Sequence, residues 1–364
     1  MTSEDDLANS KCVEVTVVLA TYGRPDALRL AVESVRLQKY RRWRLLVIGD
    51  KCDDATSATM HAFRDDSRIA YVNLPWRCGE QALVNSAGTA VTTTEYVAFL
   101  NHDDIWMPEH LDVAIEELRR TGGDFFLGRA AIAVALEGST SPRRPIFQCV
   151  SPLGRTFREA FWRSFEYIEP ASAWVIRRSF AERVGPWRQA VDVHRVPILD
   201  WVLRAWRAGG RLVEHESVTC LKIQTHGRSK ALRTYDSAPE GQEWCLDAFA
   251  RGDARTVTST LVGLPGSVGT QMPARFVEAV PFANERARAL GRHLLTPDMA
   301  DLYFRSGIDA FDWLCAEAGI ERGERFRTAF RRRTGETPPT APRLNDIVAY
   351  VAETLVDDRA WADK

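Results

Sequence analysis

Two acidic residues, Asp103 and Asp104, stand together in the polar stretch NHDD (101–104), which follows the apolar run EYVAFL and precedes IWMPEHL. Two adjacent carboxylates at the end of an apolar strand are costly to hold there unless a partner compensates them. Consecutive residues of an extended chain point to opposite sides, so the two carboxylates would contact different partners, for example a hydrated divalent cation and a sugar hydroxyl. The alternative is an acidic loop that caps the helix predicted to start near Pro108.

Two further polar loops follow predicted strands. Thr21, Tyr22 and Arg24 lie in TYGRP, which could stack on or hydrogen-bond a nucleobase while the guanidinium approaches phosphate. The alternative is an ordinary strand-to-helix turn with proline at the first helical position. Asp50, directly after the apolar LLVI, could accept a hydrogen bond from the N–H of a uracil-like ring, or it could belong to a polar turn that caps the next helix.

The sequence around these residues alternates short β-rich runs with helical stretches, which is the βαβ pattern of a parallel sheet. Predicted strands cover residues 13–20, 44–50, 68–74 and 95–100, and predicted helices cover 25–38, 57–63, 81–90 and 108–120. The polar loops therefore collect at the carboxyl edge of the sheet, where open α/β sheets bind ligands.

The second half of the chain is organised differently. Further strands are predicted over 124–136, 171–177, 211–215 and 218–224, and a helix over 199–208. After about residue 239 the strand-like runs vanish and helical periodicity dominates. We therefore predict a flexible N-terminus (1–12), an α/β domain (13–238) and a helical C-terminal region (239–364).

The motifs run in order from TYGRP through GDKCDDAT and NLPWRCGEQALVNSAG to NHDD and W-x-P-x-H-L, and over residues 13–230 this order resembles the family 2 glycosyltransferases. The resemblance implies the GT-A fold, a Rossmann-like α/β arrangement with a mostly parallel sheet flanked by helices, here with a helical C-terminal extension. It also implies an inverting, metal-dependent enzyme. Such an enzyme would move a sugar from a nucleotide sugar, expected to be a UDP-sugar, to a hydroxyl of a glycan, lipid-linked or small-molecule acceptor.

The same resemblance assigns roles to the acidic pair. Asp104 would bind a divalent metal, Mn²⁺ or Mg²⁺, and Asp103 would bind the ribose of the donor. The family usually carries another aspartate where this chain has Asn101, so the metal site would be less acidic than is typical.

Other donor contacts follow from the same alignment of motifs. Thr21, Tyr22 and Asp50 would line the base pocket. Asn85 would help to shape the donor site, and Arg77 would contact phosphate.

The acceptor side resembles the family in the segment ASAWVIRRSFAERVGPWRQ and the helix that follows it. The family's Glu-Asp pair corresponds here to Leu199-Asp200, which makes Asp200 the candidate general base; its alternative role is to stabilise the helix dipole. Downstream, His226 would complete the metal coordination. Arg228 and Lys230 would clamp the diphosphate leaving group.

The composition sets broad limits. Lys and Arg together number 48 against 49 for Asp and Glu, a net charge of -1, so no overall field recruits nucleic acid. Seven cysteines without a C-x-x-C pair argue against a zinc ribbon or a dithiol redox motif. No secretory signal pattern and no apolar run of about 20 residues occurs, so a cytoplasmic protein is expected. The basic stretch 321–333 could face anionic lipid or be a solvated helix face. The sequence does not fix the oligomeric state.

Two rival functions remain open. A nucleotidylyltransferase uses a related sheet, but it typically carries a glycine-rich, lysine-bearing loop after the first strand, which ATYGRP lacks. The second rival is a non-catalytic protein that binds nucleotide or glycan. It would be consistent with Asn101 and Leu199, which stand where the family usually has acidic residues.

Overall fold

The structure, a computed structural model, describes residues 13–135, 144–151, 171–194, 196–225, 240–264, 310–317 and 319–356. The strands in these ranges are β1 (Val15–Thr21), β2 (Trp43–Gly49), β3 (Ile69–Asn73), β4 (Tyr96–Asn101), β5 (Asp104–Trp106), β6 (Phe125–Ala135), β7 (Ile146–Val150), β8 (Trp174–Arg177) and β9 (Leu212–Thr225). The helices up to residue 239 are α1 (Pro25–Arg36), α2 (Asp54–His61), α3 (Gln81–Ala90), α4 (His110–Thr121), α5 (Arg178–Val184) and α6 (Pro197–Arg207). Those described after it are α7 (Glu240–Ala250), α8 (Ala254–Thr258), α9 (Ala310–Glu317), α10 (Glu324–Thr334) and α11 (Leu344–Val356).

The described strands form one sheet in the order β3-β2-β1-β4-β8-β6-β9-β5, with β7 paired to β6. The strands β1 to β4 pair in parallel, as the βαβ pattern predicts. The later strands add antiparallel pairs, β4 with β8, β6 with β8, β6 with β7 and β5 with β9. The α/β class with helices on the sheet is confirmed. The sheet is mixed because β5, β7 and β8 run opposite to β1 to β4, whereas β6 and β9 run in the same direction as β1 to β4.

The strands of the parallel half lie inside the molecule. Every residue of β2 is buried, and β1 has a single half-buried position. Continuous apolar runs are expected where helices cover both faces of a sheet. Leu28, Val32 and Val35 on the apolar side of α1 are buried in the same apolar cluster as residues of β1 and β2.

The NHDD stretch links two strands and does not cap a helix. Asp104 opens β5, which pairs antiparallel with β9. The first turn of α4 is held instead by Gln38, whose Nε2 donates to the carbonyl of Met107 at 2.8 Å and whose Oε1 accepts from Leu111 N at 3.0 Å. The alternative interpretation of NHDD as a capping loop is therefore wrong.

The strands predicted over 211–215 and 218–224 are one strand, β9. It runs parallel to β6 with register shifts near Gly128, between Leu127 and Ala130. Such an irregularity bends a strand without ending it. The continuous strand brings its distal half alongside β5, so residues far apart in sequence meet at the NHDD stretch.

Described helices of the C-terminal region pack on the α/β part. Ile347, Val351 and Leu355 of α11 are buried against α3 and the edge of the sheet. On another side, Arg29 of α1 pairs with Glu243 of α7 at 2.8 Å. The helical character is as expected, and the boundary at residue 239 stays a prediction.

Among the described helices, none has both the length and the apolar character that a bilayer crossing requires.

Candidate functional site

An aromatic ring and a guanidinium group stack where β1 ends. Arg77 lies over the ring of Tyr22, with its Cζ atom 4.0 Å from the ring centroid. The Nε of Arg77 and the Oγ1 of neighbouring Thr21 are buried and have no hydrogen-bond partner in the described structure. Unsatisfied buried polar atoms are rare in folded proteins, and a bound ligand is one way to supply the missing partners of these two.

Asp50 shapes the loop that carries Arg77. It follows the last residue of β2, and its carboxylate accepts hydrogen bonds from the backbone N–H groups of Cys78 and of Gly79, the latter at 2.9 Å. Burial raises the pKa of Asp50, while these backbone hydrogen bonds and the charge of Arg77 act to lower it. A carboxylate has about four lone-pair positions, so Asp50 can still accept a hydrogen bond from a ligand.

Asp103 lies in the connection between β4 and β5 and forms an ion pair. Arg24 donates from Nη1 to its Oδ2 at 3.1 Å, and the Asp103 side chain is 39% exposed. Desolvation acts to raise the pKa of Asp103, but nearby positive charge, first that of Lys222 and also that of Arg24, lowers it to about 2. The neighbouring His102 has a pKa lowered by burial, and its Nδ1 faces the backbone N–H of Tyr22 at 3.4 Å.

Asp104 is enclosed by polar partners, and its side chain has no exposed surface. Lys222 donates from Nζ to Oδ1 at 3.0 Å. On the other oxygen, Oδ2, the hydroxyl of Ser172 donates at 2.6 Å and the amide of Asn101 at 3.0 Å. The charge of Asp104 is thus already compensated inside the protein.

Asp200 lies in the first turn of α6, as predicted, and is buried. Arg204 donates from Nε to its Oδ2 at 2.9 Å, and Arg188 donates from Nη1 to Oδ1 at 3.3 Å. Arg204 is anchored further by the carbonyls of Val184 and Pro186, both at 2.7 Å. The Arg188 side chain is 56% exposed, so it is the partner that can move away from Asp200.

The loop before α6 contacts the helix that carries Asn85, which is itself buried. The backbone N–H of Trp187 donates to Ser86 Oγ at 2.9 Å, and that of Ala190 donates to Glu80 Oε1 at 2.6 Å. Burial raises the pKa of Glu80 to about 7, and the charge of Asp192 acts in the same direction. These contacts connect the predicted donor side to the predicted acceptor side.

The structure therefore brings most of the predicted site residues to one edge of the sheet. The residues joined there by contacts or by adjacent strand ends are Thr21, Tyr22, Arg24, Asp50, Arg77, Asp103 and Asp104. Asn85 lies in α3, and the described loop before α6, the helix that carries Asp200, contacts Ser86 and Glu80. His226, Arg228 and Lys230 lie outside the described residues.

The sequence reasoning missed Lys222, Ser172 and Glu80. The signal for Lys222 is a single cation inside the apolar run VTCLKIQ, since a charge in a buried strand needs a partner. No local signal identifies Ser172, because its role depends on where β8 packs. Glu80 stands before α3 like any polar residue at a helix start.

A divalent metal does not fit this arrangement. The described residues contain no group of three His, Cys, Asp or Glu side chains placed to hold a metal ion. Of the predicted ligands, Asp104 is already bound to the ammonium of Lys222, and His226 lies outside the described residues. The other carboxylate, Asp103, is bound to Arg24.

Comparison with known proteins supports the resemblance. The sequence model of Glycosyl transferase family 2 matches residues 16–185. The chain is 30% identical over 111 residues to protein CgeD of Bacillus subtilis (strain 168). This alignment covers 29% of this chain and 26% of CgeD. The chain is also 28% identical over 118 residues to the UDP-Glc:alpha-D-GlcNAc-diphosphoundecaprenol beta-1,3-glucosyltransferase WfgD of Escherichia coli. That alignment covers 32% of this chain and 46% of WfgD.

These alignments span less than half the length of either relative. Among solved structures, that of S. aureus TarS is similar at a TM-score of 0.48 and 12% identity, over 84% of this chain and 55% of that chain. The predicted family resemblance is confirmed for the part of the chain that the family model matches.

Proposed function

We propose, on the premise that residues 16–185 are a domain of glycosyl transferase family 2, that the protein is a glycosyltransferase that takes its sugar from a nucleotide sugar. The observation that carries the proposal is the convergence of Tyr22, Asp50 and Asp103 at the carboxyl edge of the parallel strands. At that edge an aromatic face, a buried acceptor and a partly exposed carboxylate lie close together. These are the groups that a base, its N–H and a ribose require.

In this proposal the nucleobase binds beside Tyr22 and Arg77, and uracil donates its ring N–H to Asp50. The ribose hydroxyls bind Asp103, and the diphosphate lies toward Arg24. The unpartnered Nε of Arg77 favours a base that carries a carbonyl oxygen. The name of WfgD, which specifies UDP-Glc, supports UDP as the nucleotide.

The reaction would be a single displacement. Asp200 takes the proton of the acceptor hydroxyl, and the acceptor oxygen forms a bond to the anomeric carbon from the face opposite the leaving group. The bond from that carbon to the diphosphate oxygen breaks, and the nucleoside diphosphate leaves with the electron pair. One displacement inverts the anomeric configuration. Arg188 would have to release Asp200 for the acceptor hydroxyl to bind.

The predicted Mn²⁺ or Mg²⁺ has no part in this scheme, because the described donor atoms do not fit such an ion. Arg24 supplies positive charge near the diphosphate, and Arg228 and Lys230 are proposed to add more as it departs.

The acceptor is proposed to be a glycan or lipid-linked hydroxyl, in a pathway of polysaccharide synthesis at the cytoplasmic side of a membrane. The name of WfgD, which specifies an undecaprenol-linked acceptor, supports this class. The basic helix α10 adds the exposed Arg331 and Arg332, which could contact anionic lipid.

The test is incubation with a panel of nucleotide sugars and candidate acceptors, with release of nucleoside diphosphate as the readout. We expect release from one UDP-sugar that accelerates when the acceptor is added. Nucleotide binding without turnover on any donor would instead identify a non-catalytic binding protein. Pyrophosphate release from a nucleoside triphosphate and a sugar phosphate would identify a nucleotidylyltransferase.

A further inference from the structure

The carboxylate predicted to hold a metal ion already has a resident cation. Lys222 and Asp104 stand directly opposite each other in the antiparallel pair of β9 and β5. Their Nζ and Oδ1 atoms are 3.0 Å apart, with Asp104 fully buried and Lys222 only 17% exposed. Because the backbone register fixes this pair, the ammonium is a built part of the site and not a surface side chain that happens to lie nearby.

The charges of the NHDD stretch balance without a metal. Asp103 and Asp104 carry two negative charges, and Arg24 and Lys222 carry two positive charges at 3.1 and 3.0 Å from them. A divalent ion would add two positive charges to a cluster that is already neutral.

Asn101 completes the case. Its side-chain amide donates to Asp104 Oδ2 at 3.0 Å, so the residue that replaces the usual aspartate acts as a hydrogen-bond donor to the very carboxylate that would hold the metal. A donor N–H pointed at that oxygen competes with a metal ion for its lone pairs. Ser172 also donates to this oxygen, at 2.6 Å.

We propose that Lys222 takes the place of the divalent cation, so that the protein binds its nucleoside diphosphate donor without a metal ion. The inference rests on the proposed function, since it concerns the diphosphate of a nucleotide sugar. Lys222 fixes Asp104 and cancels its negative charge, which would otherwise repel the diphosphate, while Arg24 orients Asp103.

The first experiment measures binding of UDP by calorimetry to protein freed of metal with EDTA, and again with added Mn²⁺. The dissociation constant is expected to change less than about threefold, which is well below the effect of one charge-assisted hydrogen bond. A tightening of about tenfold or more with Mn²⁺ would overturn the proposal.

A second measurement does not depend on nucleotide binding. Electron paramagnetic resonance of Mn²⁺ with the protein alone should show only the free-ion spectrum, and a protein-bound signal that Asp104→Asn removes would overturn the proposal. If UDP and other nucleoside diphosphates failed to bind under all conditions, the proposed function would fall, while this spectrum would still decide whether the NHDD stretch takes a metal.

Variants of Lys222 test its role directly. Lys222→Met should weaken metal-free UDP binding about 10- to 100-fold, and Lys222→Arg should retain most of it. Lys39→Met, which removes an ammonium paired with Glu109 at the surface, is the control and should bind UDP normally. If Lys222→Met does not fold, the double variant Lys222→Met/Asp104→Asn removes both charges together. Unchanged metal-free binding in a folded Lys222→Met variant, or in the folded double variant, would contradict the proposal.

Discussion

Two guanidinium groups hold the carboxylate of Asp200, and they differ in how firmly they are placed. Arg204 is anchored by the backbone of the preceding loop, whereas Arg188 is largely exposed. A base must have a free lone pair to accept a proton. In the proposed mechanism the acceptor hydroxyl takes the place of the exposed Arg188 at Oδ1 of Asp200, which would couple acceptor binding to activation of the base.

For Asp200→Asn we expect a fall in turnover of about 10²- to 10⁴-fold, because the amide cannot accept the proton. The dissociation constant of UDP should stay within about twofold, since Asp200 makes no contact with the strand-end residues among the described contacts. Turnover assays check the fall in rate, and calorimetry checks the dissociation constant of UDP. The exposed Asp65→Asn serves as the control in both. An Asp200→Asn enzyme that turns over normally would rule out this base.

Glu80 makes stability depend on pH near neutrality. Its pKa is about 7 in the folded protein, above the ordinary value of 4.5, because of burial. As the pH rises, the unfolded chain therefore loses the Glu80 proton before the folded protein does. The contribution of Glu80 to the free energy of unfolding is fully present below about pH 4.5 and is lost as the pH rises through about 7.

Glu80→Gln should remove that fall. At pH 8 we expect the variant to be more stable than the natural protein by on the order of 1–3 kcal/mol, and at pH 4.5 to 5 the difference should be small. Urea unfolding at the two pH values measures it, with the exposed Glu353→Gln as control. Equal pH profiles for the natural protein and Glu80→Gln would show that Glu80 is ionised at no cost.

At the scale of elements, periodicity predicted β1 to β4 and the helices between them because apolar runs and amphipathic stretches are local signals. The position of β5 was not predictable in this way. Three residues are too few for a pattern, and Asp104 reads as a loop residue until β9 supplies Lys222 across the sheet. The metal-binding role predicted for Asp104 was therefore assigned without knowledge of its pairing with Lys222.

The contact between α3 and β1 gives a prediction at this scale. A Cβ atom on Gly88 would lie 2.4 Å from Cγ1 of Val18, a buried residue of β1. Gly88→Ala should therefore destabilise the protein by about 1–3 kcal/mol in urea unfolding, although alanine favours a helix. Gln81→Ala, in the same helix, should not destabilise comparably. A stabilised Gly88→Ala variant would show that α3 can shift away from the sheet.

At the scale of the whole molecule, the described helices of the C-terminal region are part of the packing around the site. Gly79, whose N–H binds Asp50, has no room for a side chain because Pro339 and Phe330 lie against it. Arg77 also lies 5.8 Å from the ring of Phe330. Sequence alone predicted helices here but not this position, because no pattern within 239–364 indicates which face of the α/β part they cover.

A further prediction compares one substitution at two positions of α11. Val351→Asp places a charge in the contact with α3 and should lower the unfolding free energy by about 3 kcal/mol or more. Val356→Asp, at a position 78% exposed in the same helix, should change it by less than about 0.5 kcal/mol. Similar losses for both would mean that α11 does not depend on this contact.

The packing of α11 on α3 also has a consequence for synthesis of the chain. Leu83 and Val84 precede Val351 by roughly 270 residues, and a ribosome adds about 5–20 residues per second. The apolar surface of α3 that α11 later covers is therefore open to the cell for about 13–50 s. Removing α11 or delaying its synthesis should therefore increase aggregation of the new chain, which the soluble fraction of the expressed protein would measure.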